Sequence, residues 1–285
     1  MILSFHPCID ADLQIILGDR SLSSRDMEMI SSAEAVILHQ GMVGPLFEAC
    51  CKAEVKTFPD FTMRYKYPGK IGQSSLFKDF DLRHPETSSW ETVDAYVQAN
   101  PEIEALMQHG PFVMKANLSH DGEGVFLVKD APSFREALHR LTLKERADVK
   151  GFVVQEFIPC GGNVLRSVIM GKNVISYWKR PVHHGQEITT ISKGALVDKV
   201  WQPVLLKMGD DCAQVLSKKT GINLAAVDFL VPPAEKGTSP LFLEINYYFG
   251  RKGLGGMENY YRLLFRSIQE WLMDLHLNPD AVRLV

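Results

Sequence analysis

Two acids set inside short apolar runs near the end of the chain limit what it can fold into. Leu224-Ala-Ala-Val-Asp228-Phe-Leu-Val231 is followed by the breaker-rich stretch Pro232 to Pro240, then by Leu241-Phe-Leu-Glu244-Ile-Asn246. Runs this short and apolar, bounded by turn residues, predict two buried strands joined as a hairpin with a long loop. A carboxylate does not belong in a sheet interior unless it is paired, because burying it alone costs several kcal/mol or forces it to take up a proton. Side chains two apart on a strand share a face, about 7 Å from one another, so Glu244 and Asn246 look the same way. If Asp228 shares that face on the neighbouring strand, three oxygen ligands converge. A hard divalent cation carrying substrate phosphates, Mg2+ or its substitute Mn2+, suits such a set. The alternative is that Asp228 pairs with a buried lysine or arginine, while Glu244 and Asn246 end a strand in water.

The remaining sequence can surround a site of this kind. With 285 residues, 46% hydrophobic and 23% charged, it holds enough material for a sizeable core. At roughly 150 residues per domain, about two domains are expected. A net charge of -3 leaves no electrostatic footprint for nucleic acid. The five cysteines form neither a disulfide framework nor a zinc spacing, since Cys50 and Cys51 are adjacent and Cys8, Cys160 and Cys212 are scattered. Met1 to Pro7 lacks the basic start and long apolar stretch of a signal peptide, and no apolar run approaches the ~20 residues of a membrane span. A cytoplasmic protein without a membrane partner is the expectation.

Residues 1–88 predict a small α/β unit. Strands at Met1–Phe5, Ala35–His39 and Ala53–Phe58 alternate with helices from Ser23 or Ser24 to Ile30 and from Pro45 to Lys52, a pattern that favours a parallel sheet. No glycine-rich dinucleotide fingerprint follows any of these strands. The polar, breaker-rich stretch from Tyr67 to Trp90 reads as a domain junction. A helix over 91–107 follows, then strands at Pro111–Ala116 and Val125–Val128 around the glycine-bearing loop 117–124. Ser133 with Glu136 reads as a capping box for a helix to about Arg146, with Phe134, Ala137 or Leu138, and Leu141 inward. Gly151–Ile158 is a further strand. Val164–Met170 and Val174–Trp178 flank a hairpin turn at Gly171-Lys-Asn173. A long helix starts near Pro203 with Val204, Leu205, Met208, Cys212, Val215 and Leu216 inward, and stops at Gly221. An amphipathic helix from Met257 to about His276 closes the chain.

Four features then stand in order: Lys115 inside an apolar strand, a flexible glycine loop over 119–124, Gln155-Glu156 closing a strand, and the late oxygen ligands. A Walker loop is absent. Backbone N–H groups of a glycine hairpin can still cover phosphates, with lysines balancing their charge.

From about Gly69 to its C-terminus the sequence resembles the ATP-grasp superfamily, most closely its ligases of the ribosomal-protein glutamate-adding and glutathione-synthetase type. Lys70 with Pro85 and Thr87 matches the family's first lysine and its proline-x-threonine element. Lys115 matches the strand lysine near the α-phosphate, and Gly122-Glu123-Gly124-Val125 matches the flap. Gln155-Glu156-Phe157-Ile158 matches the hinge that meets the adenine edge. Asp228, Glu244 and Asn246 match the metal-binding Asp and Glu-x-Asn.

The resemblance implies an ATP-grasp fold of three parts: an α/β unit over 1–88, a small lid over 89–159, and a metal-bearing part over 160–285. It also implies ADP-forming ligation of a small-molecule or peptide carboxylate to an amine or thiol through an acyl phosphate. Glu244 would bridge two metal ions, and a homodimer is the oligomeric expectation. The acid that relatives carry before the arginine of the strand after the hinge is missing at Val164-Leu165-Arg166. Either Asn163 or Glu156 would therefore take the ribose, or that contact is absent, with Arg166 beside the nucleotide. Arg180 and Lys193 are the candidates to meet the transferred phosphoryl, and Arg251 a carboxylate clamp. The rivals are a degenerate nucleotide-binding module that has lost ligation and a phosphotransferase of the same fold.

Overall fold

The computed structural model describes residues 1–41, 44–101, 110–119, 124–183, 185–186, 194–233, 237 and 239–285. The chain begins with β1 (Ile2–Ser4), β2 (Ile9–Asp10), β3 (Leu13–Gln14), α1 (Ser24–Ser32), β4 (Ala35–Ile37), α2 (Gly44–Lys52), β5 (Lys56–Phe58), α3 (Thr62–Lys66) and α4 (Gly69–Asp79). Four of these strands form the expected parallel sheet in the order β3-β1-β4-β5. Ser23 caps α1 reciprocally with Asp26, as its position predicts.

The stretch read as a junction holds α4. Glycines at 69 and 72 near its start broke the helical pattern, yet Ser74, Leu76 and Phe77 give it a buried face. Gln73 fastens the helix to the late hairpin: its side-chain amide donates to the Ile245 carbonyl at 2.8 Å and accepts from the Ile245 N–H at 2.9 Å. The junction was therefore misread, and the segment is part of the site's wall.

The second layer contains β6 (Thr87–Trp90), α5 (Val93–Ala99), β7 (Phe112–Ala116), β8 (Val125–Val128), α6 (Ala131–Arg146) and β9 (Phe152–Glu156). Its strands make an antiparallel sheet in the order β6-β9-β7-β8, so the expected boundary at 88 falls within β6. The helix expected over 91–107 is seen over Val93–Ala99, and residues 102–109 lie outside those described. Asp130, not Ser133, caps α6. The Asp130 carboxylate accepts from the Ser133 N–H at 2.8 Å, so the reciprocal box sits three residues earlier than read. The inward stripe Phe134, Ala137 and Leu141 is as expected and packs on Met114 and Phe152 in a core of the lid's own.

The third layer contains β10 (Val164–Met170), β11 (Asn173–Arg180), β12 (Leu196–Asp198), α7 (Pro203–Thr220), β13 (Leu224–Leu230), β14 (Leu241–Asn246), α8 (Met257–Asp274) and β15 (Arg283–Leu284). Its antiparallel sheet runs β12-β11-β10-β13-β14, and β15 pairs with β2. α7 ends at Gly221 in the left-handed conformation, as expected. Of the face read inward, Leu216 is buried and Leu205 and Cys212 pack against the core, but the centre of the buried face is shifted. Leu206, Gly209, Ala213, Leu216 and Thr220 are buried, while Val204 is 72% exposed. Gly209 explains the offset, because a Cβ there would lie 2.8 Å from Leu165 and 2.9 Å from the Ser167 hydroxyl, so the helix approaches the sheet along its small residues. The first and third layers share one core, in which Leu3, Val36 and Phe61 join Leu165, Trp178, Leu216 and Phe229.

Candidate functional site

A cleft of about 1000 Å3 opens between the second and third sheets, with α3 and α4 along one side. Sequence order lays out its length. Val113, Val125 and Leu127 of the lid line it together with the Phe157–Ile158 segment, Leu230 and Leu243. The charged residues Lys70, Lys115, Arg166, Lys179, Asp228, Glu244 and Asn246 follow, and Tyr247 to Gly250 continue past the end of β14.

The register of the late hairpin produces the charged centre. Asp228 pairs directly with Glu244 on one side and with Arg166 on the other, so the three share a sheet face. Asn246 joins them, its amide 3.4 Å from an Asp228 oxygen. The three side chains expected to supply oxygen ligands thus stand together on one face. The alternative reading also holds in part, since Asp228 is fully engaged. Arg166 grips both its oxygens, at 2.7 and 2.8 Å, and the Lys179 ammonium lies at 2.8 Å. Burial alone would raise the Asp228 carboxyl's pKa, but Arg166 and then Lys179 hold it well below the usual carboxylate range. Glu244 is more open, its side chain 31% exposed, with the Lys70 ammonium 3.7 Å away. Among the described residues no group of three His, Cys, Asp or Glu forms a metal cluster.

Two further lysines are held by networks. Lys70, in the first turn of α4, donates to the Ser119 carbonyl at 2.7 Å, which ties it to the base of the glycine loop. Gly124 closes that loop against Ser119: a Cβ on it would lie 2.5 Å from the Ser119 hydroxyl. Lys115 donates to Gln155 at 2.6 Å, Gln155 donates to Thr87 at 2.9 Å, and Thr87 donates to the Pro85 carbonyl at 2.7 Å. The relay fixes the lysine where burial pulls its pKa down to about 8, against the opposing pull of Glu244.

Other expected site residues fall elsewhere. Arg180 pairs with Asp198 at 2.9 Å and stacks 4.4 Å over Trp201, away from the cleft. Successive strand residues face opposite ways, so the cleft receives its neighbour Lys179, which sequence reasoning missed. The two-residue alternation with Tyr177 was the available signal. Asn163 turns back on its own loop, donating to the Cys160 carbonyl at 3.0 Å, which satisfies a turn built on left-handed Gly161 and Gly162. It does not line the cleft. Arg251 lies 4.5 Å over the Tyr260 ring and 5.1 Å over Tyr261, a cation–π seat in place of a clamp. Glu156, Phe157 and Ile158 line the cleft as expected, whereas Gly122 and Lys193 lie outside the described residues. No helix among the described residues is long and apolar enough to cross a membrane.

A family model for the RimK-like ATP-grasp domain matches residues 83–261. No curated protein sequence matches the chain. Among solved structures, a RimK domain ATP-grasp protein from Sphaerobacter thermophilus is similar at 16% identity and TM-score 0.56, covering 92% of this chain and 97% of that one. D-alanine–D-alanine ligase from Bacillus anthracis is similar at 14% identity and TM-score 0.61, with 93% and 86% covered. The ADP complex of an N5-carboxyaminoimidazole ribonucleotide synthetase gives 14% identity and TM-score 0.57, and the chain spans 60% of its length.

Proposed function

Because the chain belongs to the RimK-like ATP-grasp family, whose domain accounts for residues 83–261, we propose that it is an ADP-forming ligase joining a carboxylate to an amine or thiol. The observation that carries this reading is the charge of the cleft's centre. Five cations, Arg64, Lys70, Lys115, Arg166 and Lys179, line the cleft against three carboxylates, Glu156, Asp228 and Glu244. Such an excess suits a polyphosphate. The apolar end between Val113, Leu127 and Leu230 suits an adenine, with the Phe157–Ile158 backbone along its edge.

Mg2+ held by Asp228, Glu244 and Asn246 would screen phosphate charge when bound. The donor set fits it once Asp228 is released, and an arriving triphosphate gives Arg166 and Lys179 another anion to hold. The substrate carboxylate attacks the γ-phosphoryl group, ADP departs, and an amine or thiol displaces phosphate from the acyl phosphate. The chain's part is to bring two anions together. Lys70 and Lys115 offset their repulsion from positions already fixed by Ser119 and Gln155, which lowers the reorganisation needed during reaction. The loop carrying Gly122 and Gly124 would cover the phosphates and exclude water, and Lys193 is retained as a candidate for the transferred group.

The test is ADP release across a panel of amino acids and small peptides, with carboxylates labelled in 18O. Ligation through an acyl phosphate moves one labelled oxygen into inorganic phosphate. A stable phosphorylated product would instead indicate a phosphotransferase. Nucleotide binding without any turnover would indicate a module that has lost catalysis.

A further inference from the structure

We propose that one of the two molecules joined in the cleft carries an aromatic ring, which packs on Tyr248 and Tyr65 beyond the charged centre. This rests on the ligase reading for the chemistry, though ring binding can be tested apart from it.

Tyr247 to Gly250 leave β14 directly after Asn246 and line the cleft. Burial alternates along them: Tyr247 and Phe249 are buried, whereas Tyr248 is 71% exposed. Tyr247 joins the core shared by the first and third layers, and Phe249 packs with its ring 6.2 Å from that of Tyr260. These two anchors fix the backbone and leave Tyr248 turned outward. Its ring lies by Gly41, where a Cβ would stand 3.8 Å from it. Gly41 comes after β4, and the sheet order β3-β1-β4-β5 reverses direction between β1 and β4. In parallel sheets, ligands bind in the crevice outside the strands' carboxyl ends at such a reversal.

Tyr65, on α3, lines the same cleft. One face of its ring is stacked on buried Phe47, with centroids 5.3 Å apart and planes 12° from parallel, yet the residue is 40% exposed. Leu118 adds a third apolar group from the lid, 58% exposed and beside Gly69. Tyr65 and Tyr248 are the only exposed Phe, Tyr or Trp residues among those described, and both stand in this one cleft. Rings left open in a concave wall mark a place for a ligand. A ring gains more on a ring than its area alone gives, through edge-to-face or offset packing. The adenine has its own apolar end at Val113, Leu127 and Leu230, so the tyrosines are left for the second molecule.

The experiment uses full-length protein saturated with Mg-ADP, which fills the adenine end. It is titrated calorimetrically with 3-phenylpropionate, 2-phenylethylamine and L-phenylalanine, and with the cyclohexyl analogue of each. The acid and amine arms tell which reactant bears the ring. Wild type, Tyr248→Ala, Tyr248→Phe and Tyr65→Leu are compared, and KM is measured in the ADP-release assay.

At least one aryl compound should bind wild type about three- to tenfold more tightly than its cyclohexyl analogue. Tyr248→Ala should weaken that binding about tenfold and Tyr65→Leu about threefold, while Tyr248→Phe keeps it and Mg-ADP affinity changes by less than about twofold. The proposal is overturned if no aryl compound binds, if the cyclohexyl analogue binds equally well, or if either Tyr248→Ala or Tyr65→Leu binds the ring as tightly as wild type. A loss of Mg-ADP affinity to the same degree would also overturn it. Tyr248-dependent ring binding without ADP release would sink the ligase reading and leave the site. ADP release from ringless substrates alone, with an unchanged KM in Tyr248→Ala, would do the reverse.

Discussion

At Asp228 and Glu244, adjacent acids on one sheet face have different tasks. Asp228 neutralises buried Arg166 and Lys179, so Asp228→Asn should lower unfolding free energy by about 3–5 kcal/mol, read by urea denaturation. Glu244 is partly open and only loosely paired with Lys70. Glu244→Gln should therefore leave the denaturation midpoint nearly unchanged while abolishing ADP formation. Equal destabilisation by both changes would contradict this division. Lys115 makes a pH-dependent prediction. Its pKa of about 8 means that the nucleotide-free protein loses this charge as pH rises through 8. Nucleotide affinity should fall above that pH, with proton uptake on binding, and Lys115→Met should remove both effects; calorimetry in buffers of different ionisation heat reads them.

These residues were legible to different degrees. Asp228, Glu244 and Asn246 stood out because polar groups in apolar runs demand a reason. Lys179 did not, since choosing between it and Arg180 needs a strand's register, and a shift of one residue reverses the face.

At the scale of elements, the longer strands, the cap of α1 and the glycine stop of α7 followed from local pattern. The cap of α6 was read three residues late and β6 was missed. Other errors arose where small residues carried the packing. α4 was hidden by Gly69 and Gly72, and the inward face of α7 by Gly209, whose value lies in lacking a side chain. Periodicity counts apolar residues and cannot register a close approach made by their absence. The same logic applies at the glycine loop. A Cβ on Gly124 would meet Ser119, the residue that holds Lys70. Gly124→Ala should therefore weaken nucleotide binding about tenfold with little change in secondary structure by circular dichroism. An unchanged affinity would show that the loop base does not set the position of Lys70.

Across the molecule, the cleft exists because two antiparallel sheets face each other and α4 bridges them, held to β14 by Gln73 and to the lid by Lys70. The parallel first sheet was expected from the alternation of strands and helices, and the two later sheets from the family resemblance. The shared core of the first and third layers was not, since contacts between distant segments leave no local trace. The most direct test of the cleft's purpose is urea denaturation with and without Mg-ADP. At a nucleotide concentration about 100 times Kd we expect a gain of about 2.7 kcal/mol in wild type, and none at that concentration in a Lys70→Met, Lys115→Met double variant. No gain in wild type at millimolar Mg-ADP, or an equal gain in the double variant, would contradict a nucleotide in this cleft.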